Sequence, residues 1–236
     1  MVLTGSIELT LVLTLNRYKL ASFRIPLQFI DWKNLENNVF HVTEEYSVMR
    51  SMSKEHYIPD LVLFVNGIPV CIMECKRPDL KAPLSQAISQ QLRSQQEDGI
   101  RALYVYAQML LSISCNEGLF ATNGTPEKFW ANWREKFNSP EDEKRYRNAL
   151  QDLKNKPLAT EQKDKLFTDR FKYVRGYFDA LEKENILPTV QDEYLYGLCR
   201  PERLFDIIFN FILFDNGEKK LPGTSNIFPL KKQCST

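Results

Sequence analysis

Two acidic residues and one lysine in a short, otherwise apolar stretch could carry out hydrolytic chemistry. Asp60 precedes the run LVLFV, and Glu74 and Lys76 lie at the end of the apolar run that follows. Two carboxylates can hold a hard cation such as Mg²⁺, which keeps several waters in its shell. Such a cation acidifies a bound water and neutralises charge on a phosphate, while a lysine can orient or activate that water. The three residues therefore suit metal-dependent cleavage of a phosphodiester.

A β-hairpin is expected to position these residues. The two apolar runs are joined by Asn66-Gly67, a dipeptide that favours a tight turn between antiparallel strands. Side chains alternate along a strand, so Glu74 and Lys76 should share one face. Antiparallel pairing brings the start of the first arm beside the end of the second, which places Asp60 near both. Both arms are apolar at consecutive positions, which predicts a hairpin in the middle of a sheet covered on both faces.

The predicted metal ligands are the carboxylates of Asp60 and Glu74 and the backbone carbonyl of Cys75. Mg²⁺ is the expected ion, and Mn²⁺ is its expected substitute. Carboxylates among apolar strands are costly unless a cation neutralises them, which favours a metal site. The alternative interpretation is structural, with Asp60 as a residue that starts a strand and Glu74 paired with Lys76 at the rim.

The flanking segments complete an α/β pattern. The segment 82–99 has Pro83 near its start, Gln91 among apolar residues at helical spacing, and Gly99 at its end, which is typical of a helix. Three further segments indicate strands, the third a short edge strand: 40–49, part of 104–116, and 118–124. We therefore predict an α/β fold with a central mixed sheet flanked by helices.

The composition changes near residue 136, where densely charged helical sequence begins. We interpret it as a solvated insertion or arm, with a partner-contacting surface as the alternative. The run 201–215 has the apolar spacing of an amphipathic helix that docks on the core. Trp130 and Trp133 are expected to be core residues, and His56 a solvent-facing loop residue. The predicted parts are a nuclease core, a charged helical insertion, a C-terminal helix packing on the core, and a tail: 1–135, 136–198, 199–220 and 221–236.

The overall composition is that of an ordinary folded protein. The 236 residues are 43% hydrophobic and 26% charged, with a formal net charge of +1. A near-neutral chain creates no global field, so nucleic-acid contact must come from local basic patches or from a partner. Five cysteines without metal-ligand spacing favour reduced thiols. The sequence shows neither a signal peptide nor an apolar run of about eighteen residues, so we expect a cytoplasmic protein with no membrane contact.

Taken together, these motifs resemble the N-terminal nuclease domain of the R (restriction) subunit of type I restriction enzymes, within the PD-(D/E)xK superfamily. The most specific part is PDLVLFVNGIP followed by ECK, and the resemblance extends over FIDWKNLENNVFHVTEEYSV, YAQMLLSISCNEGLFATNGTPEKFWANW and RPERLFDIIFNFILFD. It implies that Asp60, Glu74 and Lys76 are catalytic. The family also tends to carry an active-site glutamine on the next helix, which Gln91 matches. The tyrosine that the family has four residues later is Gln95 here.

The resemblance implies Mg²⁺-dependent endonucleolytic cleavage of double-stranded DNA within a restriction–modification complex that also contains methyltransferase and specificity subunits. The whole R subunit of that family includes an ATP-driven translocase, but no GxxxxGK[ST] motif occurs here, so we expect no ATP site in this chain. The tail 221–236 does not resemble the family, and we expect it to be disordered or frameshifted. Expected contacts to DNA are the basic residues near the site: Lys76, Arg77, Lys81 and Arg93.

Two other functions fit the same residues. One is a catalytically silent fragment that serves assembly or DNA binding, and the other is a stand-alone DNA repair nuclease of the same superfamily. Near-zero net charge argues against strong autonomous DNA binding, since phosphate contacts dominate that affinity. Metal binding separates the two nucleases from the silent module, and cleavage without partner subunits separates the stand-alone nuclease from the subunit.

Overall fold

The structure is a computed structural model that describes residues 7–15, 18–27, 29–215 and 218–221. Its strands are β1 (Ile7–Leu15), β2 (Tyr18–Leu27), β3 (Phe40–Glu44), β4 (Val48–Met49), β5 (His56–Tyr57), β6 (Leu61–Val65), β7 (Ile68–Cys75), β8 (Met109–Ile113), β9 (Gly118–Ala121), β10 (Leu213–Asp215) and β11 (Glu218–Lys220). Its α-helices are α1 (Pro83–Ser94), α2 (Arg101–Tyr106), α3 (Pro140–Lys154), α4 (Thr160–Leu166), α5 (Arg175–Leu181), α6 (Val190–Tyr194) and α7 (Pro201–Asn210). The predicted tail, 221–236, lies outside the described residues except for Leu221.

The central sheet has five strands in the order β3-β6-β7-β8-β9. β7 pairs in parallel with β8, while the other neighbours pair antiparallel, so the sheet is mixed as expected. The parallel pair requires a crossover, which α1 and α2 supply. The predicted edge strand is confirmed, because β9 is the last strand of the sheet. The remaining strands form separate two-stranded ribbons: β1–β2, β4–β5 and β10–β11.

Both faces of the sheet are covered, as the apolar runs predicted. One face packs against α7, whose Leu204 and Ile208 lie in the same cluster as Met73 of β7. The other face packs against α1 and α2, where Ile88 and Tyr104 cover Ile72. Trp133 and Trp130, 5% and 7% exposed, belong to the first and second cluster respectively, which confirms them as core residues.

The turn between β6 and β7 is the predicted Asn-Gly turn. Asn66 and Gly67 have positive φ of 51° and 79°, which suits the twist of a two-residue hairpin. The Asn66 amide also donates to the carbonyl of Phe29 and to Oδ1 of Asn38. These bonds attach the turn to the chain that leads into β3, so the hairpin is held at its far end.

Helix α1 begins at Pro83, as predicted, but ends at Ser94, before the predicted Gly99. The Ile100 N–H donates to the Ser94 carbonyl at 2.8 Å and folds the chain back onto the end of the helix. A Cβ on Gly99 would lie 2.5 Å from that same carbonyl oxygen. Glycine is therefore required there by close backbone approach, and the helix buries the face that carries Ala87, Ile88, Gln91 and Ser94.

The charged segment is helical, as expected, and contains α3 to α6. Ser139 caps α3 by accepting from the Asp142 N–H at 3.2 Å. The end of the segment is part of the core, because the Tyr194 hydroxyl accepts from the Trp133 N–H at 2.9 Å and Leu198 is fully buried. The arm also contacts the loop after β3 through an ion pair between Arg170 and Glu45.

The C-terminal helix packs on the core as predicted, but it is shorter than the amphipathic run. α7 ends at Asn210, and the chain then continues into β10, which pairs with β11. The predicted strand 40–49 is likewise divided into β3 and β4 at Glu45, whose φ is 44°. His56, expected in a loop, is exposed in β5. No helix among the described residues is long and apolar enough to span a membrane.

Candidate active site

The two acids meet across the β6–β7 hairpin. Leu61 pairs with Met73, so Asp60 lies one step beyond that pair, opposite Glu74. The Cys75 N–H donates to Oδ2 of Asp60 at 2.7 Å and ties the Asp60 side chain to the end of β7. Residues directly opposite each other in a sheet point to the same face, so both carboxylates face the side covered by α1 and α2.

A β-bulge makes this alignment possible. Val65 pairs with Ile68 and Phe64 with Pro69, but Leu63 pairs with Cys71, so Val70 is an extra residue on β7. Without it, the register from the turn would place Asp60 opposite Met73, and Glu74 would point to the other face, because side chains alternate with a period of two. Val70 is fully buried, and its carbonyl accepts from the Gln108 N–H at 2.8 Å.

Lys76 extends the site beyond the end of β7. Its backbone N–H donates to the Ile113 carbonyl at 2.9 Å, so the parallel ladder with β8 continues past Cys75. This keeps Lys76 on the same face as Glu74. Its Nζ lies 3.4 Å from Oε2 of Glu74 and 3.7 Å from Oδ2 of Asp60. The ammonium group therefore contacts both acids, as the alternation predicted.

The side chains of Asp60, Glu74 and Lys76 differ in their exposure to solvent. Glu74 is 1% exposed, Lys76 17% and Asp60 36%, so the site opens to solvent past Asp60. Burial, reinforced by the Asp60 carboxylate, raises the pKa of Glu74 to about 8, although Lys76 acts in the opposite direction. Without a cation, Glu74 therefore holds a proton at neutral pH. This is the electrostatic environment that a divalent cation would relieve.

The donor set fits a hard cation with few protein ligands. The carboxylates of Asp60 and Glu74 and the carbonyl of Cys75 would hold it, with water completing the shell. Burial and the neighbouring carboxylates raise the pKa of the Cys75 thiol to about 11, so the thiol stays protonated and does not serve as a soft ligand. Within the described ranges, no group of three or more His, Cys, Asp or Glu side chains is placed to hold a metal ion by side chains alone. The chemistry of the set therefore favours Mg²⁺ or Mn²⁺ over zinc.

Gln91 lies beneath the acids and is fully buried. Its amide nitrogen donates to the Leu111 carbonyl at 2.7 Å and contacts Oγ of Ser112 at 3.2 Å. Ser112 is the residue of β8 that pairs with Glu74. Gln91 thus connects α1 to the strand beside the acid, and among the described residues its side-chain amide donates to β8, not to Asp60, Glu74 or Lys76.

Gln95 occupies the place of the family's tyrosine and has a structural role. Its amide nitrogen donates to the Gln91 carbonyl at 3.1 Å, and its oxygen accepts from the Gly124 N–H at 2.7 Å. A tyrosine of the next helix, Tyr104, packs in the cluster that covers this face of the sheet. Tyr104 is 1% exposed, and burial followed by the nearby Glu74 carboxylate raises its pKa. Sequence reasoning missed Tyr104, because a tyrosine on an apolar helix face carries no signal beyond core packing.

The other basic residues predicted to contact DNA lie outside this cluster. Arg77 and Lys81 are exposed on the segment between β7 and α1, and Arg77 lies 3.5 Å from Asp79. Arg93 is exposed on α1, and its guanidinium lies 5.6 Å from the ring centroid of Tyr57. Among the four predicted residues, Lys76 is therefore the one that contacts the acids.

The known proteins to which this chain is similar are subunits of type I restriction enzymes. Residues 21–133 match the family described as type I restriction enzyme R protein N terminus. The chain is 27% identical over 202 residues to the putative type I restriction enzyme MjaIXP endonuclease subunit of Methanocaldococcus jannaschii, covering 84% of this chain and 16% of that protein. It is also 27% identical over 190 residues to the type I restriction enzyme HindI endonuclease subunit of Haemophilus influenzae, covering 80% and 14%. The matched part of the chain thus spans between about one seventh and one sixth of the length of these curated relatives.

Proposed function

We propose, from the premise that residues 21–133 belong to the type I restriction enzyme R protein N-terminal family, that this chain is a Mg²⁺-dependent endonuclease module for duplex DNA. The observation that carries the proposal is the convergence of Asp60, Glu74 and Lys76 at the solvent-facing end of the hairpin. A buried carboxylate beside a second acid and a lysine is costly as mere structure and is useful in a metal-dependent nuclease.

Each residue of the proposed active site has a different role in cleaving the phosphodiester. Asp60 and Glu74 would hold the cation, and Glu74 would release its proton to solvent on binding it. A bound cation supplies Lewis-acid polarisation of the scissile phosphate. Lys76, within 4 Å of both acids, orients the attacking water and stabilises the negative charge that develops on the phosphate. Gln91 positions the β8 strand beside Glu74 through its bond to the Leu111 carbonyl.

The partners follow from the same premise. We propose double-stranded DNA as substrate and the methyltransferase and specificity subunits of a type I restriction complex as protein partners. Arg77, Lys81 and Arg93 are proposed to contact phosphates on either side of the cut. We propose no ATP site for this chain and cytoplasmic activity, with DNA translocation supplied by other parts of the restriction enzyme.

Two measurements test the proposal. Calorimetry should detect Mg²⁺ or Mn²⁺ binding to the parent chain, and Asp60→Ala should abolish it, while Asp79→Ala, which removes an exposed acid from the next loop, should not. Supercoiled plasmid should be nicked by the chain within an assembled restriction complex, and Glu74→Ala should abolish nicking. Absence of metal binding would favour the silent module, and cutting by the chain alone would favour the stand-alone nuclease. Failure of the parent to bind either ion would refute the site.

A further inference from the structure

The hairpin formed by β4 and β5, residues 48–57, is attached at its base to the backbone of Asp60. The Glu45 N–H donates to the Asp60 carbonyl at 2.8 Å, and the Tyr46 N–H donates to the Pro59 carbonyl at 3.1 Å. The chain entering the hairpin is thereby bonded to the chain leaving it, and both ends lie at the rim of the site. The base of this hairpin is therefore held beside Asp60.

The hairpin is rigidly attached to the end of α1. The Arg50 guanidinium pairs with Glu55 at 2.5 Å and with Asp98 at 2.7 Å, and it lies 4.7 Å from the Tyr57 ring centroid. The Ser51 N–H donates to the Gly99 carbonyl at 2.8 Å. Arg50 is 17% exposed, so these bonds are partly shielded from water. Such a set of contacts fixes the direction in which the tip projects.

The tip presents an apolar side chain to solvent. Met52 is 98% exposed, and its φ of 59° lies in the left-handed region, which is unfavourable for a residue with a Cβ. A strained backbone that presents an unbranched apolar side chain at a rigid tip is more consistent with binding than with folding. Lys54, two residues along the chain from Met52, is exposed, and the exposed Arg93 of α1 has its guanidinium 5.6 Å from the ring centroid of Tyr57 in the same hairpin.

The geometry points to this hairpin as a duplex-DNA probe that inserts Met52 into the minor groove beside the cut, with Lys54 and Arg93 on the flanking phosphates. Methionine is one of the apolar residues that minor-groove proteins wedge between base steps, and lysine and arginine neutralise the backbone on either side. This inference rests on the proposed function, because its partner is the duplex that the Asp60 site would cut.

The number of residues between Met52 and Asp60 limits how far from the cut the Met52 side chain can contact DNA. Met52 is eight residues from Asp60 in the sequence. Extended chain spans at most about 3.6 Å per residue, so the tip reaches at most about 29 Å from the acid. That distance corresponds to about eight base pairs of duplex. The wedge should therefore disturb a base step within about eight base pairs of the cleaved phosphate.

The test uses a short labelled duplex with Ca²⁺ in place of Mg²⁺, the full chain, and fluorescence anisotropy at low salt. Met52→Ala and Met52→Gly should each weaken binding about tenfold, although the glycine variant relieves the positive φ and should raise the melting temperature. Leu187→Ala, which removes an apolar side chain 75% exposed on the arm, is the matched control and should bind within twofold of the parent. A 2-aminopurine probe within reach of the tip should brighten with the parent and not with the Met52 variants.

The inference is overturned if the Met52 variants bind within twofold of the parent, or if the parent shows no duplex binding at about 100 μM. The outcomes remain distinct from those for the nuclease site. Nicking that persists unchanged in both Met52 variants refutes the hairpin probe and leaves the site intact. Met52-dependent DNA binding without metal binding at Asp60 supports the probe and refutes the proposed nuclease.

Discussion

Asp60 and Glu74 lie opposite each other and on the same face of the sheet, one step beyond the Leu61–Met73 pair. They differ in environment, because Glu74 is 1% exposed and Asp60 36%. A cation bound between them would thus have one ligand held firmly by the core and one accessible to solvent. That asymmetry gives each residue a distinct experimental signature.

The Asp60 side chain should combine a structural bond with metal binding. Its Oδ2 accepts the Cys75 N–H, so Asp60→Ala should lose both metal binding and about 1 kcal/mol of unfolding free energy. Asp60→Asn keeps an acceptor oxygen but loses the charge, so its stability should stay near the parent's while metal binding disappears. Urea unfolding and calorimetry on both variants check this. Equal stability of the alanine and asparagine variants would show that the Cys75 bond contributes nothing.

Lys76→Ala should separate metal binding from cleavage. Removing a positive charge within 4 Å of two carboxylates should leave Mg²⁺ affinity unchanged or higher, because the lysine competes electrostatically with the ion. Cleavage by the reconstituted complex should be lost, because the developing charge on the phosphate is no longer neutralised. Lys33→Ala, at an exposed lysine outside the site, serves as the control. Normal cutting by Lys76→Ala would remove the lysine from the mechanism.

Glu74 should make the metal-free protein less stable as pH rises. Its pKa is about 8 in the folded chain, above the ordinary value of 4.5, so the folded state binds more protons than the unfolded state between these values. Unfolding free energy should therefore fall between about pH 4.5 and 8, and Glu74→Gln should be more stable than the parent at pH 8 by roughly 4 kcal/mol. Urea midpoints in EDTA at pH 5 and 8 measure this.

Adding Mg²⁺ to the same urea experiment should affect the parent and the Glu74→Gln variant differently. Mg²⁺ should stabilise the parent and not Glu74→Gln, because only a carboxylate can hold the ion there. Glu36→Gln, at an exposed position, should follow the parent under both conditions. Parallel pH profiles for the parent and Glu74→Gln would argue against a raised pKa for this residue.

Gln91→Ala should affect stability more than metal binding. The substitution leaves the buried Leu111 carbonyl without the amide that donates to it at 2.7 Å and creates a cavity under α1, at a cost of about 2 kcal/mol. Metal affinity should remain within a few fold of the parent's. Gln96→Ala removes a glutamine just after α1 whose amide nitrogen donates to the Leu92 carbonyl at an exposed position, and it should be neutral. A large loss of metal affinity with unchanged stability would instead place Gln91 at the ion.

Several features of the fold could be predicted from the sequence because they depend on local pattern. Asn66-Gly67 predicted the turn, consecutive apolar residues predicted a hairpin buried on both faces, and alternation placed Glu74 and Lys76 together. The helix with Pro83 in its first turn and an edge strand within 118–124, observed at Gly118–Ala121, were predicted for the same reason. Such signals act over a few residues, and the sequence contains them directly.

The alignment of the acids was decided by the tertiary structure. The turn alone would have set Asp60 opposite Met73, and it is the extra Val70 that brings Glu74 onto the same face. The bulge sits where Val70 is buried and its carbonyl accepts from Gln108, a contact made across 38 positions of sequence.

The packing of Tyr104 with Ile72 and the attachment of Glu45 to Asp60 are of the same kind. Each depends on which segments pack together in three dimensions, and spacing along the chain does not encode that distance. Sequence periodicity thus determined which residues could perform the chemistry. Packing across the sheet decided which of them meet, because only there does the register between separate strands become fixed.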